Sequence, residues 1–112
     1  MKIAIVGSRN IKISEKDIAE IVSDGDEIVS GGAAGVDSCA AEYAKRFGLG
    51  LTEFLPNYSL YGRAAPIVRN KEIVDFADKI VVFWDGSSKG SLSVINYAKK
   101  KQKNVQIILR KE

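Results

Sequence analysis

The 112-residue chain is 46% hydrophobic and 28% charged, a balance typical of a globular domain and unlike that of a disordered chain. One compact core is expected at this length, so we predict a single domain over residues 1–112. The chain has no histidine and one cysteine, which excludes a histidine-based catalytic triad and a Cys/His metal site. The formal net charge of +3 is too small to identify a partner.

The first half of the chain alternates two strand patterns with two helix patterns. Lys2–Val6 is a short apolar run of the kind found in buried parallel strands. Ser14, with Asp17 three residues later, predicts a capped helix. A second strand is predicted over Glu27–Ser30, and a second helix over Val36–Phe47, where the apolar residues keep helical spacing.

The second half continues this alternation. Leu51–Leu55 is predicted to be a strand, and a polar, aromatic loop follows before a helix that begins near Ala64. The most continuous apolar run of the chain, Ile80–Trp84, predicts a central strand. The last two predicted elements are a helix over Gly90–Lys101 and a strand over Val105–Leu109.

Five strands separated by four helices imply right-handed parallel crossovers, so the predicted fold is a three-layer α/β sandwich with a five-stranded parallel sheet. Three glycine-bearing turns follow predicted strands, at Gly7 to Arg9, Gly31 to Gly35 and Asp85 to Ser91. The carboxyl ends of parallel strands share one edge of the sheet, where helix N-terminal amides bind anions. The sequence therefore predicts a site for a phosphorylated ligand at this edge.

The second turn carries three glycines, Gly31, Gly32 and Gly35. Because glycine leaves no side chain between the backbone amides and a ligand, these residues could hold phosphate oxygens. A tight strand-to-helix turn needs glycine even without a ligand, but three such turns together favour binding. None of the turns matches the dinucleotide glycine fingerprint or the phosphate-loop lysine motif.

Three arginines lie next to the turns or in the helix after the aromatic loop: Arg9, Arg63 and Arg69. Guanidinium groups bind phosphate through paired donors, so these side chains are candidate anion ligands, although arginine is also common on ordinary surfaces. Asp37 lies in the first turn of its helix, where it either contacts the ligand, complements the helix dipole or holds a neighbouring loop.

Two features leave alternatives open. Tyr58 and Tyr61 either stack on a base or plug their loop against the domain. The basic run Lys99–Lys103 is favoured as a solvated helix end, with nucleic-acid binding as the alternative.

The sequence also indicates a compartment. No apolar run approaches the ~20 residues that cross a bilayer, and the first residues lack the pattern of a secretion signal. The single cysteine, Cys39, fits a reducing environment. We therefore expect a cytoplasmic protein with no membrane partner.

Four motifs follow one another in an order that resembles a known superfamily. They are Val-Gly-Ser-Arg at Val6–Arg9, Ser-Gly-Gly-Ala-Ala-Gly-Val-Asp at Ser30–Asp37, Gly-Arg-Ala-Ala-Pro-Ile-Val-Arg-Asn at Gly62–Asn70, and Gly-Ser at Gly90–Ser91. Together they resemble the Rossmann-like SLOG superfamily, which joins the DNA-processing protein A domain to the Lonely Guy phosphoribohydrolases. The resemblance spans nearly the whole chain and implies a Rossmann-like sandwich with a nucleotide-derived ligand over the glycine turns.

The resemblance also bears on catalysis. Arg69 matches an arginine that serves cleavage of nucleoside 5'-monophosphates in the Lonely Guy branch, whereas the glutamate of that branch is replaced by Val94. Valine can neither take a proton nor stabilise an oxocarbenium-like charge, so Arg69 is the one catalytic candidate.

The resulting prediction is a module that binds a nucleotide or nucleotide-derived ligand, as a sensor or regulator. A phosphoribohydrolase and a single-stranded DNA-binding module are the alternatives, no cofactor or metal is expected, and a homodimer is plausible. The predicted ligand-binding residues are Gly7, Ser8, Arg9, Gly31, Gly32, Ala33, Gly35, Asp37, Arg63, Arg69, Asn70, Asp85, Gly86, Gly90 and Ser91.

Overall fold

The computed structural model describes residues 1–32 and 35–110. Five strands alternate with helices along the chain. The strands are β1 (Lys2–Gly7), β2 (Glu27–Ser30), β3 (Gly50–Glu53), β4 (Lys79–Trp84) and β5 (Asn104–Leu109). The helices are α1 (Glu15–Ala19), α2 (Val36–Phe47), α3 (Tyr58–Tyr61), α4 (Ala65–Phe76) and α5 (Lys89–Lys100), with a short 3-10 turn over Gly62–Ala64.

All five strands form one parallel sheet in the order β3-β2-β1-β4-β5. The predicted five-stranded parallel sheet is therefore confirmed. β1 and β4 lie at its centre, and their residues from Ile3 to Val6 and from Ile80 to Phe83 are buried, as expected for strands that helices cover on both faces. Because β1 pairs with both β2 and β4, the strand order reverses at β1, next to its contact with β4.

Two apolar clusters cover the two faces of the sheet. On one face, the helices α1 and α2 pack against Ile5, Ile28 and Phe83. On the other face, α4 and α5 pack against Val6 and Val82. The two clusters give the predicted three-layer arrangement, with the sheet between two helix layers.

The segment between β3 and α4 departs from the prediction. β3 ends at Glu53, although the Phe54 amide still donates to the Ser30 carbonyl at 2.9 Å, and the Phe54 ring meets that of Phe76 at 5.4 Å in an edge-on contact. Leu55, predicted as the end of the strand, is exposed. The predicted aromatic loop contains the one-turn helix α3, whose N-terminus is capped by the Asn57 side chain, which accepts a hydrogen bond from the Leu60 amide.

A salt bridge joins the last strand to the first helix. Arg110 donates from both terminal nitrogens to the Asp17 carboxylate, at 3.0 and 2.6 Å, and Asp17 also accepts from the Ser14 amide at 2.9 Å. These hydrogen bonds, chiefly those from Arg110, lower the pKa of Asp17 to about 2. Asp17 therefore caps α1 and ties it to the end of β5.

Candidate functional site

A cleft of ≈ 450 Å³ opens at the carboxyl edge of the sheet, where β1 and β4 lie side by side. This is the point at which the strand order reverses, the usual ligand position in open α/β sheets. Its volume lies in the range of small-molecule sites. The lining residues are Val6, Gly7, Ser8, Arg9, Asn10, Asp37, Pro66, Arg69, Asn70, Ile73, Ser88, Gly90, Ser91 and Val94.

The cleft brings together eight of the fifteen predicted ligand-binding residues: Gly7, Ser8, Arg9, Asp37, Arg69, Asn70, Gly90 and Ser91. Six others lie outside the described lining: Gly31, Gly32, Gly35, Arg63, Asp85 and Gly86. Ala33 lies outside the described residues. Residues from the first and third turns therefore line the cleft together with residues of α4.

The first turn presents a side chain rather than its amide. The Ser8 amide donates to the Phe83 carbonyl at 3.0 Å, so it is occupied by the sheet. Ser8 is 97% buried yet lines the cleft, and its hydroxyl lies 2.9 Å from the Ser88 hydroxyl and 3.3 Å from the Ser91 hydroxyl. Three hydroxyls from the two sides of the cleft therefore form one cluster.

This serine cluster has a surplus donor. Ser8, Ser88 and Ser91 carry three hydroxyl hydrogens, but only two contacts join the three oxygens. The Asp85 amide donates into the cluster, to Ser8, and so uses an acceptor site rather than a hydroxyl hydrogen. At least one hydroxyl hydrogen therefore has no acceptor inside the cluster.

The second turn is held from both sides by charged side chains. The Gly31 amide donates to the Asp37 carboxylate at 3.1 Å, and the Gly31 carbonyl accepts from the Arg69 guanidinium at 2.6 Å. The next amide, that of Gly32, donates to the Ser30 hydroxyl at 3.3 Å. These two amides are thus occupied within the protein, although the sequence predicted that they face a phosphate.

Arg69 contacts several parts of the site. Besides Gly31, its guanidinium donates to the Asn70 side chain at 2.9 Å and reaches the Phe54 carbonyl at 3.4 Å. A side chain at position 31 would displace this clamp, because an added Cβ would lie 2.7 Å from Arg69 Nη1 and 2.9 Å from Asp37 Oδ2. Glycine at this position therefore leaves room for Arg69 and Asp37 to contact its backbone.

The third turn is organised by Asp85. Its carboxylate accepts from the amides of Ser87 and Ser88 at 2.9 and 2.7 Å, and these hydrogen bonds lower the pKa of Asp85. The turn leads into α5, and its first residues, Lys89 to Ser91, have amides with no partner inside the helix. The third turn therefore leads to Gly90 and Ser91 of α5, which line the cleft, whereas Asp85 shapes the turn from outside the lining.

The floor of the cleft is apolar. Val6, Ile73 and Val94 are buried and line it, with Pro66 at the start of α4. Among the described lining residues, the one carboxylate is that of Asp37, which accepts from the Gly31 amide. No group of acidic or cysteine residues within 1–32 and 35–110 has the arrangement of a metal site.

Sequence reasoning missed six lining residues: Val6, Asn10, Pro66, Ile73, Ser88 and Val94. Ser88 carried a usable signal, because it is the N-cap of α5 and caps often face ligands at this edge. Asn10 follows the first turn directly. Pro66 and Ile73 had no local signal, because their contribution depends on how α4 is oriented above the sheet.

The structure gives the positions of the two features whose roles were left open. Tyr58 and Tyr61 are 58% and 43% exposed, so they do not plug their loop against the domain. The Lys99–Lys103 run lies at the end of α5 and just before β5, whose first residue pairs with Lys79 at the start of β4. The run is therefore at the amino edge of the sheet, opposite the cleft. Lys103 donates there to the Ala77 carbonyl at 2.8 Å.

Comparisons with known proteins support the predicted relationship. Residues 1–49 match the family model described as DNA recombination-mediator protein A. The solved structure of DNA processing protein A (DprA) from Streptococcus pneumoniae superposes with a TM-score of 0.75 over 95% of this chain, at 22% identity. The chain has a DprA-like fold. Both the predicted Rossmann-like sandwich and the predicted resemblance to DprA are therefore confirmed.

The match to DprA covers different shares of the two proteins. The chain spans about half of the S. pneumoniae protein, 49% of its length. The family match, over residues 1–49, includes the first two glycine turns and ends before β3. No curated protein sequence matches the chain.

Within the described residues, no helix has the length and apolar character needed to span a bilayer.

Proposed function

We propose that the domain over residues 1–112 binds a nucleotide in the cleft, with the phosphate against the serine cluster and the start of α5. The observation that carries this proposal is the convergence of Ser8, Ser88 and Ser91 on one cleft, which the first turn of α5 also lines. Phosphate oxygens accept hydrogen bonds only, so a site rich in donors suits them. The positive end of the α5 dipole adds attraction for an anion.

Arginine completes the electrostatics of this phosphate site. Arg9 is exposed and lines the cleft beside Ser8, so its guanidinium is available to an incoming anion. Arg69 lines the opposite wall but is already bonded to Gly31 and Asn70. We assign Arg9 a direct ligand contact, and Arg69 the role of holding the second turn in position.

The apolar floor suits the remainder of a nucleotide. Val6, Ile73 and Val94 offer a dry surface for a base or ribose beyond the donor-rich end. We propose binding without cleavage; this is supported by the valine, Val94, at the position of the Lonely Guy glutamate and by the hydrogen bond that the Asp37 carboxylate accepts from Gly31. The proposed role is therefore that of a sensor or regulatory module.

The proposal predicts that Ser8→Ala/Ser91→Ala weakens nucleoside monophosphate binding at least tenfold. Hydrogen bonds to charged groups contribute about 1.5–3 kcal/mol each, and this variant removes two of the three hydroxyls of the serine cluster. Isothermal titration calorimetry with AMP, GMP, CMP and UMP would measure the loss. Ser23→Ala is the matched control, since Ser23 is an exposed serine before β2 at the opposite edge. Equal affinities for the two variants would rule out this phosphate site.

A second candidate function, binding of single-stranded DNA, is favoured by the match of residues 1–49 to a family described as a DNA recombination mediator. The structure helps to choose between two surfaces that could serve this function. The Lys99–Lys103 run is at the amino edge, whereas the matched turns are at the carboxyl edge. We therefore assign any DNA contact to Arg9 and Arg63 rather than to the lysines.

Fluorescence anisotropy with a labelled single strand tests this second candidate. We expect Arg9→Ala/Arg63→Ala to weaken binding and to reduce the salt slope by about 1.4, since each lost phosphate contact changes a single-strand slope by about 0.7. The control is Lys99→Gln/Lys100→Gln/Lys101→Gln, which removes three positive charges where the arginine variant removes two. The affinity of this control for the single strand should equal that of the parent protein. The opposite pattern would assign DNA to the lysine edge.

A further inference from the structure

We propose that the segment formed by residues 57–64 stacks on a second nucleobase, so that the ligand of the cleft is a dinucleotide. This inference rests on the proposed nucleotide function of the cleft. The observation behind it is an exposed apolar surface whose residues belong to neither core cluster. Tyr58, Leu60 and Tyr61 are 58%, 67% and 43% exposed, and Leu55 and Ile67 flank them on the surface.

The segment is fixed at both ends although it is exposed throughout. All residues from Asn57 to Ala64 are exposed. At its start, Phe54 packs on Phe76, and the Asn57 side chain caps α3. At its end, Ala65 is fully buried. A short helix held in this way presents its rings at a fixed position, which is a requirement for stacking.

The two tyrosines are placed to act together. They are three residues apart in α3, a spacing that puts both side chains on neighbouring positions of one helical turn. A nucleobase stacks on such a ring whatever its identity, because every base has a π-face.

The segment is continuous with the cleft. It leads directly into α4, whose residues Pro66, Arg69 and Asn70 line the cleft. At its other end, Leu55 lies against the second turn, since an added Cβ on Gly32 would come within 2.4 Å of Leu55 Cδ2. We infer that a ligand whose first base fills the cleft meets this surface when it extends past α4.

Charge favours a phosphate-linked occupant over a second copy of the chain. From Phe54 to Lys71 the sequence contains no carboxylate, but it contains Arg63, Arg69 and Lys71. In a two-fold contact through this surface, the Arg63 side chains of the two copies would repel each other. A dinucleotide instead brings negative charge to the same place.

The test compares AMP with the linear dinucleotide pApA by isothermal titration calorimetry. We expect pApA to bind about tenfold more tightly than AMP, the size of effect typical of one base stacked on an aromatic ring. Tyr58→Ala/Tyr61→Ala should remove this advantage and leave the AMP affinity unchanged. The matched control is Tyr58→Phe/Tyr61→Phe, which keeps both rings and should keep the advantage.

Several results would overturn the inference. Equal affinity of the parent protein for AMP and pApA would show that the second base has no site. An advantage that survives in the double alanine variant would locate the second base elsewhere. Sedimentation of the same variants identifies a competing occupant: a dimer that the alanine changes dissociate would assign the surface to a second copy. Tight AMP binding with no pApA advantage would leave the cleft proposal intact, whereas failure of both ligands to bind would remove both proposals.

Discussion

Replacing Phe83 by alanine is expected to lower the free energy of unfolding by about 3–5 kcal/mol, a large share of the ~5–15 kcal/mol that stabilises a typical domain. The Phe83 side chain is completely buried in the central strand β4 and belongs to the cluster under α1 and α2. Removing the ring leaves a cavity that the close-packed neighbours Ile5 and Val36 cannot fill without strain. Urea denaturation followed by circular dichroism measures the loss.

Phe47→Ala is the matched control for this prediction. It deletes the same ring at the end of α2, where Phe47 is 52% exposed and packs on Tyr43 at 4.5 Å. We expect a cost below about 1 kcal/mol, because most of the ring is already in water. Similar costs for the two variants would mean that the core under α1 and α2 is not packed as described.

Gly7→Ala is expected to lower the free energy of unfolding by about 1–3 kcal/mol, the usual cost of an extra carbon in a packed site. An added Cβ would lie 2.6 Å from Val36 Cγ2 and 2.9 Å from the Phe83 carbonyl oxygen. The carbonyl cannot move easily, because Phe83 is paired within the central strands and accepts from the Ser8 amide. Thermal and urea denaturation would both register the change.

The glycine at position 90 provides the contrast. Nothing lies within 4 Å of a Cβ built on Gly90, which is in the first turn of α5, so Gly90→Ala should leave stability unchanged or raise it by about 0.5–1 kcal/mol. If Gly7→Ala were as stable as Gly90→Ala, the close contact between β1 and α2 would have to be wrong.

The fold was largely predictable from local patterns. β2 and α2 have the predicted bounds, because glycine turns and apolar spacing mark their ends. The order of the strands was not predictable from any single segment, since parallel neighbours are chosen by packing between distant parts of the chain. The predicted end of β3 was wrong for a related reason. The Phe54 ring packs against Phe76, a residue 22 positions away in the sequence.

The site was predictable where the backbone alone sets it. The turns after β1 and β4 converge because parallel strands end at one edge, which the sequence indicates. The hydrogen-bond partners of the individual side chains could not be predicted from the sequence. Asp37 and Asp85 accept from backbone amides of their own turns, and whether a carboxylate faces its own backbone or a ligand depends on side-chain geometry.

The backbone of Gly31 joins the two helix layers of the domain. Its amide is held by Asp37 of α2 and its carbonyl by Arg69 of α4, and these helices lie on opposite faces of the sheet. Asp37 and Arg69 both line the cleft, so the parts of α2 and α4 that carry them are linked through one residue and held at a fixed separation. Such a site is preorganised, so an incoming ligand loses little free energy to ordering the protein around it.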